Sequence, residues 1–433
     1  MWLINRHSDG LGAARIPLPL PLRAALVGWY SGEGSRRDED AGITLVQQAR
    51  IGAKWIACDC LGTDRLPPIL TPAFLSEAET YYLRRLTSTK RPEHHADCPF
   101  FRDQVTNRLT ETRGAHTPAD PPVGYFEVLR PVPEKLAQRP ASDASDDRTR
   151  SASVPRLARL LWRLLSNASL NIVVPCHEEP PERTIAEEFK ALASAAAGIE
   201  VAPGIELGRV LWTHGDALHS RRAYAGIREL SRRWPRGHAP QGFLTVFAKE
   251  FKGSAIFPAG SEPIMVANRV QSPSVRANPI KGPYLVIVVM GEYPEAHGYA
   301  PLRAYAQPIY SGTRFMPVER DFERSVLRSI LGSRHEFARH GVDIAFEKPV
   351  FDRLTPLGAC RPDFLIEARS RSTGEIRQLI VEAIGGPSPD YLAQKAAGHR
   401  RNLEQIAPVL VITPADVADG RVSRLLSEAL IYT

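Results

Sequence analysis

The C-terminal part of the chain has the clearest pattern of apolar and polar positions. From residue 318 to residue 340 the apolar residues recur at helical spacing, and Gly341 ends that pattern. Three strand-like runs follow, the last two joined by a Ser-Thr-Gly-Glu turn, at residues 344–351, 363–369 and 378–384. A second helical pattern, another strand and a closing helix then occupy residues 389–405, 408–412 and 420–431. The order α-β-β-β-α-β predicts a mixed sheet with helices on both faces.

The middle of the chain changes from helical to strand-like patterns. Helical spacing of apolar residues marks three segments, at residues 157–165, 182–197 and 221–233. From Gly242 to Met290, apolar runs of strand length alternate with turn signals. The pattern therefore predicts a β-rich middle region.

Residues 133–155 separate this region from the N-terminal part. They are rich in Pro, Ser, Asp and Arg and have almost no apolar periodicity, which is typical of a flexible linker. Residues before 130 mix short apolar strands with polar connections. The chain is thus expected to be a multi-domain α/β protein of the α+β kind, with a small N-terminal module (1–132), a linker (133–155), a basic α+β middle domain (156–315) and a C-terminal domain (316–433).

Composition places the chain among ordinary globular proteins. Of its 433 residues, 43% are hydrophobic and 24% are charged, and no apolar run reaches the length of a membrane span. Prolines interrupt the apolar run at residues 16–22, which argues against a signal peptide. Five cysteines do not form a disulfide framework in a chain of this length. We expect a cytoplasmic protein with no membrane partner.

Positive charge is concentrated in the middle of the chain. Twelve Lys and Arg face five Asp and Glu between Gly204 and Lys281, whereas residues 316–433 hold sixteen of each sign. A basic segment beside a neutral domain fits binding of a nucleic-acid phosphate backbone. An ordinary arginine-rich surface explains the same count, so both interpretations stay open.

Two carboxylates interrupt apolar runs near the C-terminus. Asp363 follows Pro362 and begins one strand-like run, and Glu382 lies inside another. Burying a charge is costly unless a partner compensates it, and two carboxylates on neighbouring strands can hold Mg²⁺. In the alternative interpretation, Asp363 caps a turn and Glu382 pairs with Arg361 or Arg377.

These residues resemble the PD-(D/E)XK nuclease superfamily over about residues 318–415. The resemblance is carried by Pro362-Asp363, by Glu382 and by Glu323 on the preceding helix. It implies a restriction-endonuclease-like fold in which Asp363 and Glu382 bind Mg²⁺ or Mn²⁺ and Glu323 completes the site. Glu319 and Glu336 are alternatives on the same predicted helix.

The family's lysine is displaced in this sequence. The superfamily normally has Lys two residues after the second carboxylate, and Ile384 stands there. Some members supply the lysine from the following helix, so the resemblance assigns the water-positioning role to Lys395. His399, four residues further along, is a weaker candidate on the same helical face.

Three cysteines and a histidine in the N-terminal module have the composition of a structural zinc site. Cys58 and Cys60 end an apolar strand, and His94 precedes Cys98 by four residues. Together they predict a closed Cys₃His site for Zn²⁺, with His95 as the alternative nitrogen ligand. Free buried thiols are the competing interpretation. Cys176 and Cys360 are expected to be isolated structural residues.

The three early cysteines also resemble an uncharacterised bacterial family associated with plasmids and integrated mobile elements. Taken together, the sequence predicts a metal-dependent DNA endonuclease-like protein that acts with nucleic acid and with other mobile-element proteins. A non-catalytic nucleic-acid-binding or scaffold protein that retains a nuclease fold is the alternative. A zinc-stabilised module for binding a protein partner is the third hypothesis.

Overall fold

The computed structural model describes residues 1–6, 15–31, 36–63, 65–75, 80–86, 91–95, 98–100, 128, 155–179, 183–235, 238–273, 280–293, 296–385 and 399–432. Apart from Pro155, the expected linker lies outside these residues. The chain forms two compact units, Met1–Arg156 and Leu157–Thr433. No helix in the described part of the chain combines the length and apolar character that a membrane span requires.

The first unit packs two helices on an antiparallel sheet. Its strands lie in the order β2-β1-β3-β4-β5, and the ranges are β1 Trp2–Asn5, β2 Ile16–Pro17, β3 Lys54–Ala57, β4 Ile69–Leu75 and β5 Thr80–Arg85. The helices are α1 Leu20–Ser31 and α2 Arg36–Ile51. Leu26 and Val46, one from each helix, are fully buried against Ile56 of β3. Sulfur atoms of Cys58 and Cys98 lie in the same core, which places the cysteines beside the sheet.

The second unit begins with short elements and continues into a long, mostly antiparallel sheet. Its helices here are α3 Arg156–Asn167, α4 Ile185–Ala195, α5 Asp216–His219 and α6 Arg222–Leu230. Its strands are β6 Ile172–Val173, β7 Glu200–Ala202, β8 Ile205–Glu206, β9 Leu211–Trp212, β10 Gln241–Lys252, β11 Ala255–Pro258, β12 Ile264–Met265, β13 Tyr284–Tyr293, β14 Gly298–Ser311 and β15 Arg314–Pro317. The sheet has the order β12-β11-β10-β13-β14-β15 and is antiparallel except for β9, which lies beside β10 and runs parallel to it.

The apolar run on β13 explains its central position in this sheet. Every residue from Tyr284 to Gly291 is buried, because β10 and β14 pair with β13 on its two edges and side chains pack on both faces. A strand covered on both faces has a continuous apolar sequence rather than an alternating one. The β-rich middle region is therefore confirmed.

The C-terminal elements form a second sheet with helices packed on it. They are α7 Asp321–Arg339, β16 Val342–Glu347, β17 Arg353–Thr355, β18 Gly358–Cys360, β19 Phe364–Ser370, β20 Ile376–Ala383, β21 Val409–Ile412, α8 Pro414–Ala418 and α9 Val422–Tyr432. Residues 399–403 are also helical. The sheet order is β21-β20-β19-β16-β6, and β21 runs parallel to β20 while the other pairs are antiparallel. The predicted mixed α+β fold class is confirmed, and the hairpin β17–β18 is an addition to it.

The edge strand β6 comes from a distant part of the chain. Ile172 pairs with Glu347 and Val173 pairs with Phe346, and Val173 is fully buried in the same core as Leu327 of α7. In the sequence, the segment between β6 and α7, which contains the middle sheet, therefore lies between two parts of the C-terminal sheet. The domain boundary at residues 315 and 316 stays a prediction.

Glu179, which follows β6, binds arginines from two other elements. Arg334 of α7 places Nη1 3.0 Å from Glu179 Oε2, and Arg314 of β15 binds Oε1 of the same carboxylate. The side chain of Arg334 is only 2% exposed. Burial alone would raise the pKa of Glu179, but Arg314 and Arg334 outweigh it and lower that pKa. The carboxylate therefore stays charged and fastens the β6 segment to α7.

Substitution Glu179→Gln should lower the free energy of unfolding by about 2–4 kcal/mol at pH 7, because it leaves the buried Arg334 charge uncompensated. A lowered carboxyl pKa contributes stability that is present above the ordinary value of about 4.3 and is lost as the pH falls through the folded-state pKa. The difference between the two proteins should therefore shrink in acid. Urea denaturation at pH 7 and at steps below pH 5 measures it.

The matched control is Glu178→Gln, whose side chain is 57% exposed, and we expect a change within about 0.5 kcal/mol. Equal stability of wild type and Glu179→Gln at pH 7 would contradict the role of this ion cluster.

Candidate functional site

Asp363 and Glu382 lie side by side at the ends of two paired strands. Asp363 immediately precedes β19, and Glu382 is near the end of β20, where Phe364 pairs with Val381. The Asp363 N–H donates to Glu382 Oε1 at 2.8 Å, and the Ala383 N–H donates to Asp363 Oδ2 at 2.9 Å. Both carboxylates are buried, at 6% and 4% exposure. The strand pairing thus holds the two groups together.

Glu323 reaches this pair from the first turn of α7. Its side chain is fully buried, and its Oε1 lies 2.5 Å from Lys348 Nζ. The same Nζ lies 4.0 Å from Asp363 Oδ1. Glu336 is instead near the other end of α7, where it accepts a hydrogen bond from Ser423 Oγ at 2.6 Å. Of the three glutamates that the sequence offered, Glu336 is therefore outside the cluster.

Two arginines border the carboxylates. Arg320 donates from Nη2 to both oxygens of Asp363, at 2.8 and 2.7 Å. Arg361 Nη2 lies 3.0 Å from Glu319 Oε1, and the Glu319 N–H donates to Glu323. With Lys348, three cations therefore neutralise most of the charge of four clustered carboxylates.

The two arginines that the sequence offered as partners of Glu382 bind other carboxylates. Arg361 pairs with Glu319, and Arg377 Nε lies 3.0 Å from Glu375 Oε1. Glu382 Oε2 instead faces His399 Nε2 at 3.9 Å. The structure thus brings His399 to the cluster.

Lys348 was missed by the sequence interpretation. It follows β16 directly and is 2% exposed, whereas a lysine next to a strand end is usually solvated. Burial alone would lower the pKa of Lys348, but Glu323, Glu319 and Asp363 outweigh it and raise that pKa, so the ammonium group is charged. Burial raises the pKa of Glu323 more than Lys348 lowers it. The position of Lys348 directly after an apolar run was the sequence signal that could have indicated its burial.

Lys395, the lysine assigned by the sequence, lies outside the described residues. Ile384 stands where the sequence resemblance expects a lysine, and its N–H donates to the Ile412 carbonyl at 3.0 Å.

The oxygen donors of the cluster fit a divalent ion. Mg²⁺ and Mn²⁺ take carboxylate oxygens and keep several waters, so Asp363 and Glu382 would hold such an ion with Glu323 nearby. The reciprocal backbone hydrogen bonds use one oxygen of each strand carboxylate. Arg320 contacts both oxygens of Asp363 and has a side chain that is 33% exposed, so it is the group that an incoming ion would displace.

The four cysteine and histidine residues predicted as a metal site meet in the first unit. Ligand atoms of Cys58, Cys60, His94 and Cys98 all lie within 4.8 Å of one another. Sulfur atoms of Cys58 and Cys98 are 3.8 Å apart, and His94 Nδ1 is 3.6 Å from Cys60 Sγ and 3.4 Å from Cys98 Sγ. Tetrahedral zinc requires about 3.8 Å between sulfurs and about 3.6 Å between sulfur and nitrogen. The cluster can therefore hold a metal such as zinc.

The geometry also shows which of the two histidines has its ring in the cluster. His94 is buried and points Nδ1 at the sulfurs, whereas His95 is exposed and contributes its backbone N–H to Cys60 Sγ at 3.4 Å. Hydrogen bonds from Cys58 and His94 lower the pKa of Cys98 to about 4 despite its burial, which favours the thiolate that metals bind. His94 is thus the histidine whose ring nitrogen lies with the three cysteine sulfurs.

Purified protein should contain about one equivalent of zinc, and Cys98→Ser should lose it together with stability, because metal binding contributes directly to folding. Metal analysis by mass spectrometry and thermal unfolding measure both effects. The matched controls Cys176→Ser and His95→Ala should keep the metal. Wild-type protein with well under half an equivalent after purification in zinc-containing buffer would contradict the site.

Comparison with known protein families gave a descriptive match for the C-terminal elements. A family model described as a restriction endonuclease-like C-terminal domain matches residues 319–429. Two models described as domains of unknown function match residues 1–104 and 118–309. Comparison with curated proteins and with solved structures gave no match. Residues 319–429 include Glu323, Lys348, Asp363 and Glu382, so the carboxylate cluster lies in a domain that has a nuclease-like, restriction endonuclease-like fold.

Proposed function

We propose that this protein is a metal-dependent endonuclease of the PD-(D/E)XK type that hydrolyses phosphodiester bonds in DNA. One observation supports this most strongly. Asp363 and Glu382 are buried together at the ends of paired strands of a restriction endonuclease-like domain, with Glu323 joined to Asp363 through Lys348. Among the described residues, four clustered carboxylates face three cations, so the cluster keeps negative charge that a divalent ion would compensate. Plasmid or mobile-element DNA is the substrate class that the sequence resemblance favours.

In this proposal Asp363 and Glu382 hold Mg²⁺ or Mn²⁺, and Glu323 assists from α7. The bound ion would polarise the scissile phosphate and make a water molecule more acidic. The water oxygen bonds to phosphorus as the phosphorus–ester oxygen bond breaks. One proton leaves the water for solvent, and the departing oxygen takes one up. The sequence assigns the group that positions this water to Lys395, which stays a prediction.

Exposed arginines on and next to α6 support nucleic-acid binding by the middle region. Ala223 and Ile227 of α6 are buried in the core of the middle sheet. Two exposed arginines lie on α6 and three flank it; these five residues, Arg221, Arg222, Arg228, Arg232 and Arg233, define the α6 surface. No carboxylate among the described residues lies within 4.0 Å of these five guanidinium groups. Uncompensated positive charge of this kind attracts phosphate.

The arginines of the C-terminal domain are different. Many of them pair with carboxylates, including Arg421 with Asp416 at 3.0 Å and Arg424 with Glu428 at 2.7 Å. Among the described residues, the two regions therefore differ in how many arginines are left without a carboxylate partner, and not simply in how many arginines they contain. We infer that the α6 surface contacts the DNA backbone while the C-terminal domain cuts it.

A non-catalytic nucleic-acid-binding protein is the second candidate. Two observations favour it: Ile384 replaces the family's lysine, and Arg320 and Lys348 already neutralise Asp363 and Glu323. The cleavage assay below separates the two candidates.

Wild-type protein should nick or linearise plasmid DNA in the presence of Mg²⁺ or Mn²⁺ and not in EDTA. Asp363→Asn and Glu382→Gln should each lower the rate by about 10²-fold or more, because a lost ligand removes several kcal/mol of transition-state stabilisation. Agarose-gel time courses measure the rate, and circular dichroism checks that both variants fold.

The control for this assay is Glu367→Gln, which changes an exposed carboxylate on β19, the strand that follows Asp363, and should leave the rate unchanged. Cleavage that persists in Glu382→Gln would rule out the proposed site. Absence of cleavage with supercoiled, linear and single-stranded DNA would favour the non-catalytic protein.

Arg232→Ala/Arg233→Ala should weaken binding of a short DNA duplex and reduce the slope of log affinity against log salt by about 0.9 for each phosphate that the variant no longer neutralises. Fluorescence anisotropy in EDTA, at several salt concentrations, measures binding without cleavage. Arg421→Ala/Arg424→Ala removes the same charge from arginines that are already paired, and it should change the slope much less. Equal slopes in the two double variants would contradict DNA binding by the α6 surface.

A further inference from the structure

Strand β20 supplies no ammonium group to the carboxylate cluster. Two residues after Glu382, the chain has Ile384, whose side chain is 39% exposed. The Ile384 N–H bonds to the Ile412 carbonyl, which continues the pairing of β20 with β21. A buried positive charge beside the carboxylates must therefore come from an element other than β20.

Asn171 forms hydrogen bonds with both the N–H and the carbonyl group of the Lys348 backbone. The Lys348 N–H donates to the Asn171 carbonyl at 2.8 Å, and Asn171 Nδ2 donates to the Lys348 carbonyl at 3.1 Å. Asn171 is 2% exposed and immediately precedes β6. The edge strand thus determines where the Lys348 side chain begins.

From this position the side chain of Lys348 runs into the cluster. Its Nζ lies 5.6 Å from the ring centroid of Phe364, 2.5 Å from Glu323 Oε1 and 4.0 Å from Asp363 Oδ1. The ammonium group is therefore next to one carboxylate from α7 and one from the start of β19. These two belong to the set that would hold the divalent ion.

The other two cations that the described part of the chain places in the cluster are less enclosed. Side chains of Arg320 and Arg361 are 33% and 22% exposed, whereas that of Lys348 is 2% exposed. A compact ammonium group, unlike a planar guanidinium fork, can rotate its three donors between neighbouring acceptors. Among the described residues, Lys348 is thus the enclosed cation of the cluster, and its charge is compact.

We infer that Lys348 is the ammonium group of this nuclease-like site, in the role that the resemblance gives to the lysine missing at position 384. The inference rests on the proposed nuclease function. In this role the Lys348 Nζ contributes positive charge and hydrogen-bond donors to the attacking water and the phosphate. It exchanges no atoms with the substrate. In the protein without metal, the same group neutralises Glu323.

Metal affinity provides a test that does not depend on turnover. With the cysteine cluster loaded with zinc, Mn²⁺ binding to the full-length protein is measured by calorimetry without nucleic acid. Asp363→Asn should abolish the signal and so assign it to this site. Lys348→Met should bind Mn²⁺ about tenfold more tightly, because it removes a positive charge beside the ion. Plasmid cleavage at saturating Mn²⁺ should become about 10²-fold slower in the same variant.

Two further lysines make the comparison specific. Lys190→Met, on the exposed face of α4, is the matched control and should change neither the affinity nor the rate. Lys395→Met tests the lysine that the sequence assigned. If Lys348→Met does not fold, Lys348→Gln replaces it, since the amide can still donate to Glu323.

Unchanged Mn²⁺ affinity in the Lys348 variant would overturn the inference, because Nζ would then not adjoin the ion. Tighter binding with an undiminished cleavage rate would overturn it as well, and a rate loss confined to Lys395→Met would transfer the role to Lys395. Wild-type protein that binds Mn²⁺ but cleaves no DNA would remove the proposed function alone. The affinity comparison would then still establish whether Lys348 adjoins the metal position.

Discussion

The C-terminal sheet can place carboxylates together only because cations are enclosed with them. Glu323 and Asp363 would repel each other in a poorly solvated interior, and Lys348 lies between them. Each member of this group belongs to a different element: α7, the chain after β16, and the start of β19. The electrostatic balance therefore fixes the relative positions of three elements as well as the charge of the site.

The middle region also supports this site through a chain of polar contacts. Arg361, which binds Glu319, lies over the ring of Trp162 at 5.5 Å, and Trp162 Nε1 donates to Gln307 Oε1 at 2.7 Å. Gln307 is buried on β14 and donates in turn to the Val318 carbonyl at 2.9 Å, just before α7. The start of α7 is thereby connected to the long middle sheet. A buried network of this kind is rigid when every member is satisfied.

Much of the C-terminal fold could be predicted from apolar periodicity, because helices and strands there bury one continuous core. Asp363 and Glu382 were recognisable as a pair because carboxylates are unusual in such runs. Strand β6 was not recognisable, since two residues carry no period and their partner is far along the chain. Lys348 was missed for a related reason: its burial results from tertiary contacts with Glu323 and Asn171. Choosing between His94 and His95 also required coordinates, because spacing allows either.

The edge strand β6 has a consequence for the order in which the molecule forms. Asn171 and Lys348 are 177 residues apart in sequence, and the whole middle sheet is synthesised between them. Contacts of such separation form late, because closing a long loop costs conformational entropy before any pairing repays it. The strand that holds the backbone of Lys348 must wait for β16 to emerge from the ribosome. A nascent chain consequently carries the exposed arginines of residues 221–233 before it possesses a complete carboxylate cluster.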